Sequence, residues 1–445
     1  MELRVKEDWR LDERLVCPAC WRESTEGLTA CEKLPETLRT LITANAPAEV
    51  EHICRRCISL FERAKRQLDA YGVVVEAGKA LPTPLRLDAD ERFLGRGVTI
   101  AFLDSGFYPH ADLTTPRNRI RAYHNIFDPE GGAASLHLPD PASWHGMMTS
   151  VVAAGNGSLS NGFYRGLAPE ADVVLVKIGK SGAIPEANIQ KGLEWVRENR
   201  EKYGIRIVNL SVGGDWEASY LHNELAQTVE KMVADGMVIV CAVGNAGHTP
   251  RHAVLPPANS PAVISVGGLD DHNSLDRGRR GMYRSSYGPT VDGLQKPEII
   301  APGIWVPAPI LPYTPTAKQA ELLHLLDTAE DENLAYIIKL HEGVDSELNE
   351  ARHLPGYLLR QLITLKLRET SVINNAYKYV DGTSFAAPIV SSLVACMLEA
   401  NPKLTPQQVK RFLVDSAERL PLIEVDRQGW GVVTPRRAIE TALSV

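Results

Sequence analysis

The sequence has no run of eighteen consecutive apolar residues, so no membrane-spanning helix is expected from it. It also lacks a leader. Met1-Glu2-Leu3-Arg4-Val5-Lys6-Glu7-Asp8 has no apolar stretch and no small-residue cleavage pattern, which predicts a cytoplasmic protein. It lacks basic excess: 48 Lys and Arg against 55 Asp and Glu leave a net charge of −7. That balance argues against a nucleic acid or an anionic membrane as partner. It lacks a compact Asp-rich loop, so Ca2+ is not predicted. Cysteine is scarce, at seven residues in 445. Cys241 and Cys396 lie in apolar patterns and read as buried thiols. The composition as a whole, 44% hydrophobic and 23% charged, is that of a soluble globular chain long enough for one large domain and smaller parts.

Four of the cysteines are paired in sequence, as Cys17-Pro18-Ala19-Cys20 and Cys54-Arg55-Arg56-Cys57. Two thiolates two residues apart on a tight turn reach one Zn2+, and two such turns complete a tetrahedron. Residues 1–70 are therefore expected to form a structural zinc module held by Cys17, Cys20, Cys54 and Cys57. Cys31 or His52 is an alternative fourth ligand. Disulfides are the competing reading and need an oxidising compartment, which the missing leader argues against. Leu34–Ile42 and Ile58–Leu68 have helical periodicity, the second amphipathic with its basic residues on a solvated face. Residues 71–94 form a proline-punctuated linker, with a short strand at Val73-Val74-Val75. Residues 72–86 are either a passive connection or an inhibitory strap near a cleft.

From residue 95 apolar strands alternate with helices: strand Val98–Leu103, helix Met147–Ala154, strand Val173–Ile178, helix Glu186–Tyr203, strand Ile205–Leu210, helix Glu217–Ala234, strands Met237–Val243 and Val263–Gly267. The alternation predicts a central, mostly parallel sheet between helical layers, with function at the carboxyl ends of the strands. Asp104, Ser211 to Gly214 and Asn245 fall at such ends. Later, Asp381-Gly382-Thr383-Ser384-Phe385-Ala386-Ala387-Pro388 presents a serine at the mouth of an apolar helix. Backbone N–H groups and the positive end of the helix dipole converge there, which suits an oxyanion. A serine in that position also serves as a plain helix cap. The catalytic reading needs a base, a carboxylate and a further oxyanion donor. Trp144-His145-Gly146, Asp104 and Asn245 supply them, in the chain order Asp, His, Asn, Ser.

These blocks resemble the subtilisin-like serine peptidases, the subtilases. Asp104-Ser105-Gly106 is similar to the family's Asp-Ser/Thr-Gly, Gly382 to Pro388 to its Gly-Thr-Ser-Met-Ala-x-Pro, and Gly244-Asn245 to its oxyanion block. Ile207 to Gly214 resembles the strand and glycine pair that wall the S1 pocket. The family usually has His-Gly-Thr where this chain has His145-Gly146-Met147. The resemblance implies a three-layer subtilisin-like domain over 95–445 and a serine endopeptidase with Ser384 as nucleophile, His145 as base, Asp104 as its orienting carboxylate and Asn245 as oxyanion donor. It implies substrate contacts at Ser211, Val212, Gly213 and Gly214, and backbone pairing with an extended peptide at Lys180, Ser181 and Gly182.

Residues 311–377 depart from the family. Helical patterns at Ala317–Thr328, Glu332–His341 and Tyr357–Leu367 predict an inserted helical subdomain. It is read as a stabilising decoration, a lid, or a surface for a protein partner or self-association. Together with the zinc module it points to a regulated or substrate-restricted peptidase acting on a protein or peptide. The rival reading is a subtilase-fold peptide-binding or scaffold protein with little turnover. A weaker one makes the zinc module a nucleic-acid adaptor, against the overall acidity.

Overall fold

The computed structural model describes residues 10–11, 14–45, 50–73, 80–137, 140–180 and 183–445. Ser181, Gly182, Val74, Val75 and most of the central part of segment 72–86 lie outside the described residues.

Among the described residues the central sheet has eight strands. Its order is Gly281–Met282, Ile264–Asp270, Val238–Ala242, Ile205–Leu210, Thr99–Asp104, Asp172–Lys177, Ile120–Asn125, with Ile299–Pro302 also paired to Ile264–Asp270. Every pairing but the short one to Gly281–Met282 is parallel. Thr99–Asp104 lies in the interior of the sheet with all six residues buried, as its unbroken apolar pattern predicts for a strand covered on both faces. One face carries the helix Thr383–Ala400, which packs on Trp144–Ala154 and on five sheet strands. The opposite face carries Glu186–Glu198 and Glu224–Ala234, which pack on each other. Two buried clusters fill the two layers.

Thr383–Ala400 is long and apolar enough to cross a membrane by length and composition alone. Its place explains its character, since 83% of that window is buried inside the domain.

Several boundaries differ from the sequence expectations. The helix expected from Glu217 starts at Glu224, because Asn223 caps it by accepting from Ala226 N–H. Upstream, the Asp292 carboxylate holds the turn through Ser219 Oγ and Tyr220 N–H. The helix expected over Glu186–Tyr203 breaks at Asn199, whose side chain bonds back to the Trp195 carbonyl. The Thr405-Pro406-Gln407-Gln408 start forms as expected, with both reciprocal capping bonds present.

The insertion grows from a two-stranded ladder, Val306–Pro309 against Tyr377–Val380. Between these strands lie helices Pro315–Thr328, Leu334–Leu340, Ser346–Ala351 and Gly356–Thr370, which bury a core of their own around Leu323, Leu326, Ile338 and Ile363.

The N-terminal region has short antiparallel strands and two helices, Glu36–Asn45 and Arg55–Ala70. Its core includes the cysteine pairs and extends onto Leu81, Leu85, Phe163 and Leu275. The module therefore packs against the large domain. Ala80–Leu87 is fully buried in this seam. Arg86 forms a completely buried ion pair with Asp271, and its guanidinium also donates to the Trp305 carbonyl at 2.9 Å. Leu81 N–H donates to Asn273 Oδ1 at 2.9 Å.

Candidate active site

Asp104 closes its strand, and three partners fix its carboxylate. Ser105 N–H donates to Oδ1 at 2.7 Å, and Thr149 Oγ1 approaches Oδ2 at 3.4 Å. Both carboxylate oxygens lie 2.9 Å from His145 Nδ1. The helix Trp144–Ala154 begins three residues earlier than its apolar run predicts, so His145 sits in its first turn. Gly146 permits the approach: a Cβ there would lie 2.1 Å from the Gly106 carbonyl oxygen and 2.9 Å from Asp104 Cβ. Met147, where the family usually has threonine, is fully buried in the core. Thr149, four residues beyond His145 and on the same helical face, supplies a hydroxyl to Asp104. The sequence reading missed that role.

Burial disfavours a charged imidazole at His145. The Asp104 carboxylate outweighs it, both by charge and by its hydrogen bond, and holds the His145 pKa above the ordinary 6.5. Two aromatic rings flank the imidazole. Trp144 stands edge-on with centroids 5.2 Å apart, and Phe385 is tilted at 5.7 Å.

Ser384 is the second residue of its helix. Gly382 precedes it as N-cap at φ +135°, a backbone open to glycine and strained for other residues. The Ser384 hydroxyl donates to the Ser211 carbonyl at 3.4 Å. The oxyanion side is built from Asn245. Its Oδ1 accepts from Thr383 N–H at 2.9 Å and from Thr383 Oγ1 at 3.0 Å, which turns Nδ2 toward the cleft. A Cβ built on Gly382 would lie 3.8 Å from both Asn245 Nδ2 and Ser384 N. Those two nitrogens thus border the same small volume beside Gly382, the placement an oxyanion site requires.

Of the expected substrate-binding residues, Ser211 and Gly214 are buried, Val212 is half-buried and Gly213 is exposed. Gly214 N–H donates to the Pro256 carbonyl at 2.7 Å, and Leu255 and Pro256 back the glycine pair. Lys180 has its backbone N–H and carbonyl paired with Ala183, so its own ladder groups are already engaged. Ser181 and Gly182 lie outside the described residues.

The second site is the cysteine cluster. The Sγ atoms of Cys17, Cys20, Cys54 and Cys57 all lie within 4.8 Å of one another, and all four residues are buried. Cys17 to Cys57 and Cys20 to Cys54 are 3.9 Å apart. A tetrahedron of sulfurs about 2.3 Å from one ion has edges of about 3.8 Å, whereas a disulfide needs about 2.05 Å. Cys54 N–H also donates to Cys17 Sγ at 3.3 Å, a bond that suits a thiolate ligand. The donor set therefore fits one metal ion. Cys31 and His52 are not among the four.

The subtilase family model matches residues 95–431. Serine protease AprX of Bacillus subtilis (strain 168) is 30% identical over 354 residues, covering 78% of this chain and 66% of that protein. Alkaline elastase YaB of Bacillus sp. (strain YaB) is 31% identical over 334 residues, covering 74% of this chain and 61% of that one. The chain thus spans under two thirds of the length of these curated relatives. Among solved structures, the CspB protease of Clostridium perfringens matches with a TM-score of 0.58 at 15% identity, covering 82% of this chain and 98% of that one. Fervidolysin from Fervidobacterium pennivorans matches at 0.54 and 20% identity, covering 80% and 45%. At those identities the structures speak for the fold alone. The family match runs from just before the Asp104 strand to just short of the last helix, and by it the chain belongs to the subtilase family.

Proposed function

We propose that the protein is a serine endopeptidase that cleaves peptide bonds through an acyl-enzyme on Ser384. The observation that carries this reading is the assembly on one side of the sheet of Asp104 at its strand end, paired with His145 in a helix first turn, and of Asn245, just past the strand Val238–Ala242, bonded to Thr383 beside Ser384 in the first turn of another helix. His145 takes the Ser384 proton as Oγ attacks the scissile carbonyl and returns it to the leaving amine. Asp104 fixes the tautomer and stabilises the imidazolium. Asn245 Nδ2 and Ser384 N–H take the oxyanion. The four cysteines hold a structural Zn2+, which ties together the ends of the module and takes no part in the reaction. The protein is read as cytoplasmic, a compartment that keeps such a thiolate cluster reduced. The module and the insertion make it a regulated or substrate-restricted enzyme. If the purified protein degrades casein and unrelated proteins equally well, the restriction is refuted.

One contact favours the second reading, a peptide-binding scaffold with little turnover. Ser384 Oγ bonds the Ser211 carbonyl, and no hydrogen bond joins it to His145 in this structure. Catalytic hydrogen bonds often tighten only with substrate in place. Labelling with a fluorophosphonate probe decides. Modification of Ser384, absent in Ser384→Ala, supports the peptidase. An unlabelled, folded protein supports the scaffold.

A further inference from the structure

The seam between the zinc module and the large domain holds an excess of positive charge that the peptidase reading does not use. A cavity of about 520 Å3 opens there. The module lines it with Arg22, Arg56 and Arg63, and the large domain with Arg277, Arg436 and Arg437. Against these six arginines stand three carboxylates, Asp88, Glu418 and Glu440, in a chain whose net charge is −7.

The carboxylates are shared. Glu418 pairs with Arg22 at 2.5 Å and with Arg277 at 3.3 Å. Asp88 pairs with Arg63 at 2.5 Å, with Arg436 at 3.6 Å and with Arg277 at 4.0 Å. Four guanidinium groups, each at most about a third exposed, therefore share two carboxylates that are themselves nearly buried, and Arg436 alone also reaches the buried Asp90, at 3.7 Å. The Nε–H groups of Arg277 and Arg436 are buried without an acceptor. Arg56 and Arg437 are exposed at the mouth, and among the described residues neither has an ion-pair partner. Like charges this close, partly shielded from water, repel across the seam. A guanidinium cluster with spare donors matches the oxygens of a phosphate group.

We propose that this cavity binds a phosphate-bearing anion that bridges the zinc module and the large domain. The charge supports more than one phosphoryl group. Among the described residues no aromatic side chain lines the cavity, so a nucleobase would find no stacking surface. The phosphates, not an attached nucleoside, are what is recognised.

The test is calorimetric titration of the full chain with inorganic pyrophosphate at low and moderate salt, with melting curves in parallel. One saturable site per chain is expected, weakening with salt, together with a rise in Tm. The double charge reversal Arg56→Glu, Arg437→Glu leaves the buried pairs intact. It should raise Kd at least tenfold and abolish the Tm rise, while Arg352→Glu on the insertion changes neither. ADP should bind within a few-fold of pyrophosphate. Absence of saturable binding, equal binding by the double variant, or binding of ADP but not pyrophosphate would each overturn the proposal.

Discussion

Ser211 Oγ donates to the backbone carbonyl of Ser384 at 2.9 Å. The bond fills a gap left by Pro388. In a regular helix the N–H of residue 388 would bond the carbonyl of residue 384, and proline has no N–H. The substitute donor is held in turn by Asn209, whose Nδ2 reaches Ser211 Oγ at 3.0 Å and whose Oδ1 accepts from Ser391 at 3.0 Å. Ser211→Ala strips this partly buried carbonyl of its partner. It should lower stability by about 1–3 kcal/mol and reduce kcat, because the helix mouth is no longer tied to the strand end. Denaturant melts and single-turnover kinetics check both.

Asn245→Ala removes one of the two oxyanion donors. The expected loss is about 10²–10³ in kcat with KM nearly unchanged, since the donor acts on charge that develops only in the transition state. A matching rise in KM would place Asn245 in ground-state binding. Gly382→Ala tests the same volume from the backbone side. A methyl group 3.8 Å from both donors, on a backbone at φ +135°, costs about 1–3 kcal/mol of strain and blocks the oxyanion. Its kcat should fall even where the fold survives.

The pH profile follows from His145. Its imidazole must be neutral to accept a proton, and Asp104 holds its pKa above 6.5. The acid limb of kcat/KM is therefore centred above pH 6.5. In Asp104→Asn the counter-charge goes and burial remains, so the limb moves to lower pH while kcat drops by about 10⁴. The linkage to stability has the opposite sense from a carboxylate's. A raised histidine pKa stabilises the fold fully below the unfolded value and is lost as pH rises through the folded one. Rate profiles and melts from pH 5 to 9 on both proteins test this.

Metal analysis should find one zinc per chain. Cys57→Ser opens the tetrahedron at the first turn of the helix Arg55–Ala70. The loss should destabilise the module by at least about 4 kcal/mol, in the range reserved for metal or disulfide removal. Zinc content unchanged by the substitution would remove the four-cysteine assignment.

What was legible in the sequence, and what was not, follows from the physics of each element. Asp104, His145, Asn245 and Ser384 stand beside glycines and apolar runs, and their local constraints are written in adjacent residues. The strand Ile120–Asn125 escaped because it is an edge strand: its residues are half-buried or exposed and mostly polar, so it carries no apolar signature. The ladder at the base of the insertion escaped for two reasons. Val306-Pro307-Ala308-Pro309 has a proline at every second position, which argues against a strand, and its partner lies some seventy residues away. The Phe385 ring beside His145 was hidden as well, since the two residues meet only through the fold.

The neck of the insertion is a single two-stranded ladder of four residue pairs. Ile310 N–H donates to the Ala376 carbonyl at 2.8 Å, just beyond the last pair of the ladder, Pro309 and Tyr377. Four helices with their own core thus hang from two chain ends that are already neighbours. For lineage history, such a cassette can be gained, lost or exchanged at little cost to the frame below it, because a tight turn closes the same gap. The frame is nonetheless not insulated from its cargo. Only Asp381, Gly382 and Thr383 separate the end of the ladder from Ser384. Any displacement of the cassette therefore has a short covalent route to the nucleophile.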